Sequence, residues 1–323
     1  MSFALPCRLR GCGGLVGLGV RWGMVARALD YVVNSPANLP AKSNRFLAIT
    51  PIRGTVADRM ITSLPTIAET DRLKTVGARF GPRGTHTSRT MMLSELSELF
   101  LAVPRSGSRQ DYEAAIVAEN CLGKATTANR RSTLQRMSEL YGLDPAIPLF
   151  GVLRRLWDLD PAGRPMLALL CALARDPMLR STAPHILAME IGSELLHGDY
   201  MSSIRDHVEA RLNDGVLDQV RRNSSATWTQ SGHLEGRVRK RRRAAGASFG
   251  PIALALWLGS LEGRVGDDLL ASFWMRQFDA PRHAIIDAVL HCKQTGLIYA
   301  SIGGGIVQID PAPVFQPSQQ GNQ

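Results

Sequence analysis

Apolar side chains recur at intervals of three and four residues through the middle of the chain, which is the spacing of amphipathic helices. The pattern starts near Thr90 and continues to about Asn213. Pro, Gly or Asp stands at the end of most of the helical segments within it. It predicts helices over residues 90–103, 109–123, 126–143, 148–159, 164–176, 182–198 and 202–214. Because no strand pattern interrupts them, residues 89–213 are predicted to form a helical bundle domain.

The pattern changes in the second half of the chain. Residues 215–223 predict a short helix, residues 251–263 a helix that is apolar on nearly every side, and residues 267–278 and 281–296 two more helices. Alternating β-branched runs then flank three glycines, Gly303–Gly305, which is a strong signal for a β-hairpin. Three helices followed by a hairpin predict a winged helix-turn-helix-like domain over residues 214–312, with residues 313–323 as a disordered tail. The predicted fold class is therefore mainly α, a helical bundle followed by this winged domain with its C-terminal β-hairpin.

The first 88 residues lack sustained periodicity and are broken by Pro and Gly. They are also basic, since residues 1–90 hold 13 Lys or Arg against four Asp or Glu. We expect a flexible basic N-terminal extension over residues 1–88. A natural translation start at Met24 or Met60 would explain the same composition.

Positive charge is concentrated rather than spread. The chain carries a formal net charge of +10, and residues 221–243 hold eight basic residues and one acidic residue, Glu235. Six of the seven residues from Arg237 to Arg243 are Arg or Lys, and small polar side chains precede them. Such a set can contact phosphates and base edges, although a solvated charged face or a linker would have the same composition. The predicted DNA-binding residues are Thr227, Trp228, Thr229, Gln230, Ser231, His233, Arg237, Arg239, Lys240, Arg241, Arg242 and Arg243.

A second basic cluster lies at the predicted start of the helix over residues 126–143. Hydroxyls and cations at a helix N-terminus are suited to bind phosphate. The secondary DNA-binding residues predicted here are Lys124, Thr126, Thr127, Asn129, Arg130 and Arg131. A capped helix with an exposed basic face is the alternative.

Sequence signals for catalysis are weak. Glu190, Glu194 and His197 are spaced to share one helical face, but a di-iron bundle needs this motif twice, so an acidic surface stripe is the preferred interpretation. No phosphate loop, paired Cys motif or nucleophile elbow occurs. The sequence therefore predicts no catalytic residue, no metal site and no cofactor. Five scattered cysteines and apolar runs too short to span a bilayer predict a reduced, cytoplasmic protein.

The C-terminal half resembles the BrxA family of bacterial BREX phage-defence systems. The resemblance is carried by "WTQSGHLEGRVRKRRR" (Trp228–Arg243), "PIALALWLGSLEG" (Pro251–Gly263) and "LLASFWMRQFD" (Leu269–Asp279), with a weaker match in "CLGKATTANRRSTLQRMSELYGL" (Cys121–Leu143). It implies an all-α protein of winged-helix character that binds double-stranded DNA and is not an enzyme. It also implies partners among larger defence proteins, including a methyltransferase and ATPases.

The leading hypothesis is therefore a non-enzymatic DNA-binding accessory protein of a phage-defence system. The alternatives are an RNA-binding protein or transcriptional regulator, and a helical scaffold whose basic loop docks onto an acidic partner protein. The residues alone do not separate DNA from RNA, because a single Trp beside the basic run gives little signal for base stacking.

Overall fold

The protein is described by a computed structural model for residues 67–81, 83–208, 212–304 and 306–315. Within these ranges it forms twelve α-helices, three short 3-10 helices and two antiparallel sheets of two strands each. The predicted fold class is confirmed at this level, since the chain is mainly α. The described residues of the predicted extension are limited to 67–81 and 83–88.

Nine helices precede the basic run and three follow it. The first nine are α1 (Ile67–Thr75), α2 (Leu93–Ala102), α3 (Arg109–Val117), α4 (Thr127–Tyr141), α5 (Pro148–Leu159), α6 (Arg164–Arg175), α7 (Pro177–Ala188), α8 (His197–Val208) and α9 (Asp214–Gln230). The others are α10 (Phe249–Leu261), α11 (Gly266–Leu270) and α12 (Arg282–Gln294). The strands are β1 (Leu234–Glu235), β2 (Arg241–Arg242), β3 (Tyr299–Gly303) and β4 (Ile306–Asp310).

Side-chain caps fix where several helices begin. Ser108 and Asp111 form a reciprocal capping box at α3, and the Thr126 hydroxyl accepts a hydrogen bond from the Asn129 amide at α4. Asp176 caps α7, and Asn213 caps α9. Each cap satisfies backbone N–H groups that the first turn leaves without a helical partner. The Thr126 cap confirms the predicted start of its helix.

Helix α6 lies at the centre of the fold. Every residue from Met166 to Ala174 is buried, and α6 packs against α4, α5, α7, α9 and α10. Helix α10 is buried from Gly250 to Gly259, as its all-round apolar sequence predicts. The two helices contact each other directly, so apolar burial joins the helices before the basic run to those after it.

Part of the predicted N-terminal extension belongs to the core. Leu73 is fully buried in α1, and Val76 and Ala78 are buried just after it. The Arg79 amide donates to the carbonyl of Ala174 in α6, and the Leu149 amide donates to the carbonyl of Val76. The expectation of a flexible segment up to residue 88 is thus wrong for residues 73–81 and 83–88. Scattered Pro and Gly in the surrounding sequence concealed the short helix α1.

The helix predicted over residues 182–198 is interrupted. α7 ends at Ala188, α8 begins at His197, and the intervening segment includes Gly192 at φ +87°. Glu190, Glu194 and His197 therefore do not share one helical face. The predicted helix over residues 267–278 is also shorter, with α11 followed by a separate 3-10 turn at Met275–Gln277.

The C-terminal hairpin forms as predicted, and the chain after it remains packed for a few residues. β3 and β4 pair antiparallel from Tyr299 opposite Asp310 to Gly303 opposite Ile306. Val314 is fully buried, and the Arg155 guanidinium donates to the carbonyls of Pro313 and Val314. The prediction of a disordered tail from residue 313 is wrong for residues 313–315, and the remainder lies outside the described residues.

Among the described residues, no helix is both long enough and apolar enough to span a membrane.

The packing of α1 generates a stability prediction. Leu73→Ala should lower the free energy of unfolding by about 2–5 kcal/mol, because it empties a fully buried site. Leu101→Ala removes the same atoms from a side chain that is 84% exposed. It should change the free energy of unfolding by less than ~0.5 kcal/mol. Urea denaturation of both variants checks the difference. Equal stabilities would mean that residues before Gly84 contribute nothing to the core.

Candidate nucleic-acid interface

The basic run forms a short β-hairpin that projects from the helical body. β1 and β2 pair antiparallel, with Leu234 opposite Arg242 and Glu235 opposite Arg241. Residues 236–240 form the connecting loop, and this element, residues 234–243, is called the basic hairpin below. Gly236 sits at φ +97°, and a Cβ there would collide with the carbonyl oxygen of Arg239. Only glycine fits this tight turn without strain.

A segment between α7 and α8 pairs with the free edge of β2. The Gly192 amide donates to the Arg242 carbonyl at 2.7 Å, the Arg242 amide to the Ser193 carbonyl at 2.9 Å, and the Leu195 amide to the Lys240 carbonyl at 2.8 Å. The basic hairpin is therefore bonded along both edges of β2. This pairing also explains why the chain from Met189 to Leu196 leaves helical geometry, because its backbone groups bond to a strand instead.

Arg242 fixes the base of the basic hairpin to the body. Its side chain is fully buried, and its guanidinium forms an ion pair of 2.8 Å with Asp279. The same guanidinium donates to the main-chain carbonyls of Ile186, His233 and Arg243. The second Asp279 oxygen accepts from the Ala245 amide. One buried side chain thus joins α7, the hairpin and the segment before α12, with its donors satisfied as a buried charge requires.

His233 is buried beside this anchor. Its Nε2 donates to the Gln277 carbonyl at 2.8 Å, so its Nδ1 accepts from the Ser231 hydroxyl at 2.9 Å. The ring packs edge-on against Trp228 with 4.9 Å between centroids. Burial, together with the nearby Arg242 charge, lowers the pKa of His233 to about 4. The ring is therefore neutral at physiological pH.

The polar residues from Thr227 to Gln230 are part of α9, which continues to Gln230 instead of ending near residue 223. The indole N–H of Trp228 donates to the Thr182 hydroxyl at 2.8 Å. Thr227 contacts His86, whose Nδ1 lies 2.7 Å from Asp176. This Asp–His–Thr array has the connectivity of a catalytic triad, but all three residues are buried and the Thr227 oxygen also accepts from the Met91 amide. It joins three segments of the core and is closed to substrate.

Five of the twelve predicted DNA-binding residues are therefore wrong as contact residues, because their side chains are buried. These are Thr227, Trp228, Ser231, His233 and Arg242. Thr229 is half-buried and its hydroxyl accepts from the Lys240 ammonium at 2.7 Å, whereas Gln230 is exposed. These polar residues form a buried hydrogen-bond network, whereas the prediction placed them on a DNA-contacting surface.

The remaining five predicted residues are the cations Arg237, Arg239, Lys240, Arg241 and Arg243. Four are exposed, and Lys240 is partly buried at the base of the loop. Arg239 lies 3.9 Å from Glu194, at the limit of an ion pair. Arg237, Arg241 and Arg243 form no ion pair with any described residue. The basic hairpin thus displays cations whose charges the described part of the protein leaves largely uncompensated.

Two further arginines, which the predicted set omitted, face the basic hairpin from α9. Arg221 and Arg222 line a groove of about 470 Å³ together with Arg237, Val238 and Lys240. Both arginines pair with Asp218, and the Arg221 hydrogen bond holds the pKa of that carboxyl below its ordinary value. The prediction omitted these arginines because it ended this helix near residue 223. A helix that continues to Gln230 would have placed them on the element that leads directly into the hairpin.

The secondary cluster at the start of α4 is mostly engaged in local bonds. Lys124 pairs with Glu95 at 3.1 Å, and Arg130 donates to the carbonyls of Lys124 and Val117. Thr126 is the helix cap, while Thr127, Asn129 and Arg131 are exposed. Its cations other than Arg131 are thus committed to holding the turn before α4, and the cluster offers less free charge than the basic hairpin.

Comparison with known proteins adds no family assignment: no protein-family model matches this chain, and no curated protein matches it significantly. Within the described ranges, no group of three or more His, Cys, Asp or Glu side chains is arranged to hold a metal ion.

Adjacent arginines of the run should lose very different amounts of stability on the same substitution. Arg242→Ala leaves Asp279 and the carbonyls beside it without their partner and should lower the free energy of unfolding by about 3–5 kcal/mol. Arg243→Ala removes an exposed side chain and should cost less than ~0.5 kcal/mol. Thermal and urea unfolding of the pair measure this contrast. Two equally stable variants would contradict the anchoring role of Arg242.

The buried ring of His233 predicts a pH dependence of stability. Because folding favours the neutral ring, its contribution is complete above pH ~6.5 and is lost as the pH falls towards 4. The slope should approach ~1.4 kcal/mol per pH unit in that window. His233→Gln should flatten the slope relative to wild type, whereas His283→Gln, at an exposed site on α12, should not. Urea unfolding between pH 7 and 4 tests this, and identical slopes in all three proteins would contradict it.

Proposed function

We propose that the protein binds double-stranded DNA through the basic hairpin, by contacts to the phosphate backbone. The observation that carries this proposal is the placement of five cations on a strand-paired hairpin, of which Arg237, Arg241 and Arg243 have no acidic partner among the described residues. Cations held on a fixed frame bind a polyanion with a smaller loss of conformational entropy than cations on a free chain. Each phosphate they neutralise releases condensed counterions.

The groove beside the hairpin extends this surface. Arg221 and Arg222 on α9 face the same groove as Arg237 and Lys240. The cations therefore lie on two elements rather than one, which suits a backbone that passes between them. Phosphate contacts position a protein on DNA without reading its sequence. We accordingly propose affinity of low sequence specificity.

Duplex DNA is favoured over single strands by the surroundings of the hairpin. Proteins that bind single strands stack bases on exposed aromatic side chains. Trp228, which packs on His233, and Tyr200, which lines the groove beside the hairpin, are both fully buried. An RNA-binding role remains the second candidate, because double-stranded RNA also presents a phosphate backbone.

We also propose a winged-helix arrangement for α10–α12 and the β3–β4 hairpin, which the element order supports. α12 contacts both α10 and β3, and would occupy the position of a recognition helix. Its charge is modest, since Arg282 pairs with Asp267 at 2.7 Å and Asp287 is exposed beside it. No cation is present on β3 or β4. We therefore assign DNA binding to the basic hairpin and not to this module.

The wider role rests on the resemblance to the BrxA family. We propose that the protein acts without catalysis, as a DNA-binding accessory of a phage-defence system. Neighbouring genes for a methyltransferase and a large ATPase would support that context. Incubation with plasmid DNA, RNA or ATP and divalent metal should leave each substrate unchanged, and turnover of any of them would contradict the non-enzymatic role.

Charge removal at the two candidate surfaces distinguishes between them. Replacing Arg237, Arg239 and Arg241 by Gln should weaken duplex DNA binding and reduce the salt slope by about one unit for each lost phosphate contact. The matched variant with Arg282→Gln and Lys293→Gln on α12 should bind as wild type does. Fluorescence anisotropy of labelled duplex DNA, single-stranded DNA and duplex RNA over a range of KCl concentrations gives both quantities.

All five residues are exposed, so the variants should keep the wild-type thermal midpoint. Loss of binding in the α12 variant alone would show that the winged module, and not the basic hairpin, binds the DNA. Unchanged binding in both variants would refute DNA binding through either surface. Tighter binding to RNA than to duplex DNA would favour the second candidate.

A further inference from the structure

The apex of the basic hairpin is apolar. Val238 stands at the centre of the five-residue loop, between Arg237 and Arg239, and its side chain is 91% exposed. Val238 also lines the groove beside the hairpin, but its side chain can neither pair with nor donate a hydrogen bond to a phosphate.

The hairpin is built so that only this loop projects. β2 pairs with β1 on one edge and with residues 192–195 on the other, and Leu234 and Arg242 are buried on one face. A two-stranded ribbon lies in the major groove, which is about 12 Å wide, when its strands are free to enter. Here the strands are fixed against the body. The element available to a groove is the loop tip, which suits the minor groove of about 6 Å.

We propose that this tip enters the minor groove of duplex DNA, with Arg237 and Arg239 along the groove and Val238 as an apolar wedge against a base step. The proposal rests on the proposed DNA binding. Arginines are drawn into the minor groove by its negative potential. Apolar side chains of minor-groove proteins partly unstack a base step and bend the duplex. A glycine-dependent turn and the Arg242 anchor supply the stiffness that a wedge requires.

The burial of most polar residues before the run agrees with this mode. The polar residues that precede the run, among them Thr227, Ser231 and His233, are buried and cannot reach a base edge. Selectivity would then come from deformability, so flexible pyrimidine–purine steps such as TA should be preferred to stiff sequences.

The test separates the wedge from the charge. Val238→Ser replaces the two methyl groups by one hydroxyl and so removes the apolar contact, and Val265→Ser is the control at a valine that is 73% exposed outside the hairpin. Duplexes carry end labels for energy transfer, which reports bending, and 2-aminopurine at a central TA step, which reports unstacking. Wild type and Val265→Ser should bend the duplex and raise 2-aminopurine fluorescence.

Val238→Ser should lose both signals and bind roughly tenfold more weakly, with the salt slope of wild type retained because no cation has changed. Netropsin, which occupies the A·T minor groove, should compete with wild-type binding. Bending by Val238→Ser equal to wild type, or binding indifferent to netropsin, would overturn the minor-groove wedge and leave the phosphate contacts intact. Failure of wild type to bind duplex DNA at all would overturn both proposals together.

Discussion

A single buried cation determines the shape of the candidate interface. The guanidinium of Arg242 is removed from water, which is costly unless every donor finds an acceptor and the charge finds a counterion. Asp279 supplies the counterion, and carbonyls of α7 and of the hairpin itself supply the acceptors. This set fixes the segment between α9 and α10 to the body, together with the pairing of β2 to residues 192–195. Arg242, which is itself part of the basic run, thus helps to fix the position of the exposed cations of that run.

Arg175 and Arg180 are buried as well as Arg242, so the net charge of the chain overstates the charge at its surface. Arg175 donates to the carbonyls of Ser138 and Glu139, and Arg180 donates to those of Leu173, Ala174 and Arg79. These side chains satisfy the carbonyl ends of helices inside the core. A formal charge count treats them as surface cations. The charge available to a partner is therefore more local than the net value of +10 implies, and the basic hairpin is its densest described source.

The sequence predicted the helices with strong apolar periodicity almost to the residue, as at α5, where Pro148 and Asp160 mark the ends. It also predicted the terminal hairpin, because three glycines between two β-branched runs favour a tight turn between two paired strands. It failed where polar side chains face inward. Thr227 and His233 look like contact residues in composition, and only their partners, His86 and Gln277, show that they belong to the core. Those partners lie 141 and 44 residues away, beyond any local pattern.

The separation of the partners of Arg242 has a consequence for how the chain folds. Its guanidinium bonds to Ile186, 56 residues earlier, and to Asp279, 37 residues later. Contacts of this range close late, after local helices have formed. During synthesis the basic run leaves the ribosome before Asp279 does, so its six cations first exist on an unanchored chain. The ion pair that anchors the hairpin can form only once Asp279 has been made, so the surface is complete only in the fully folded chain.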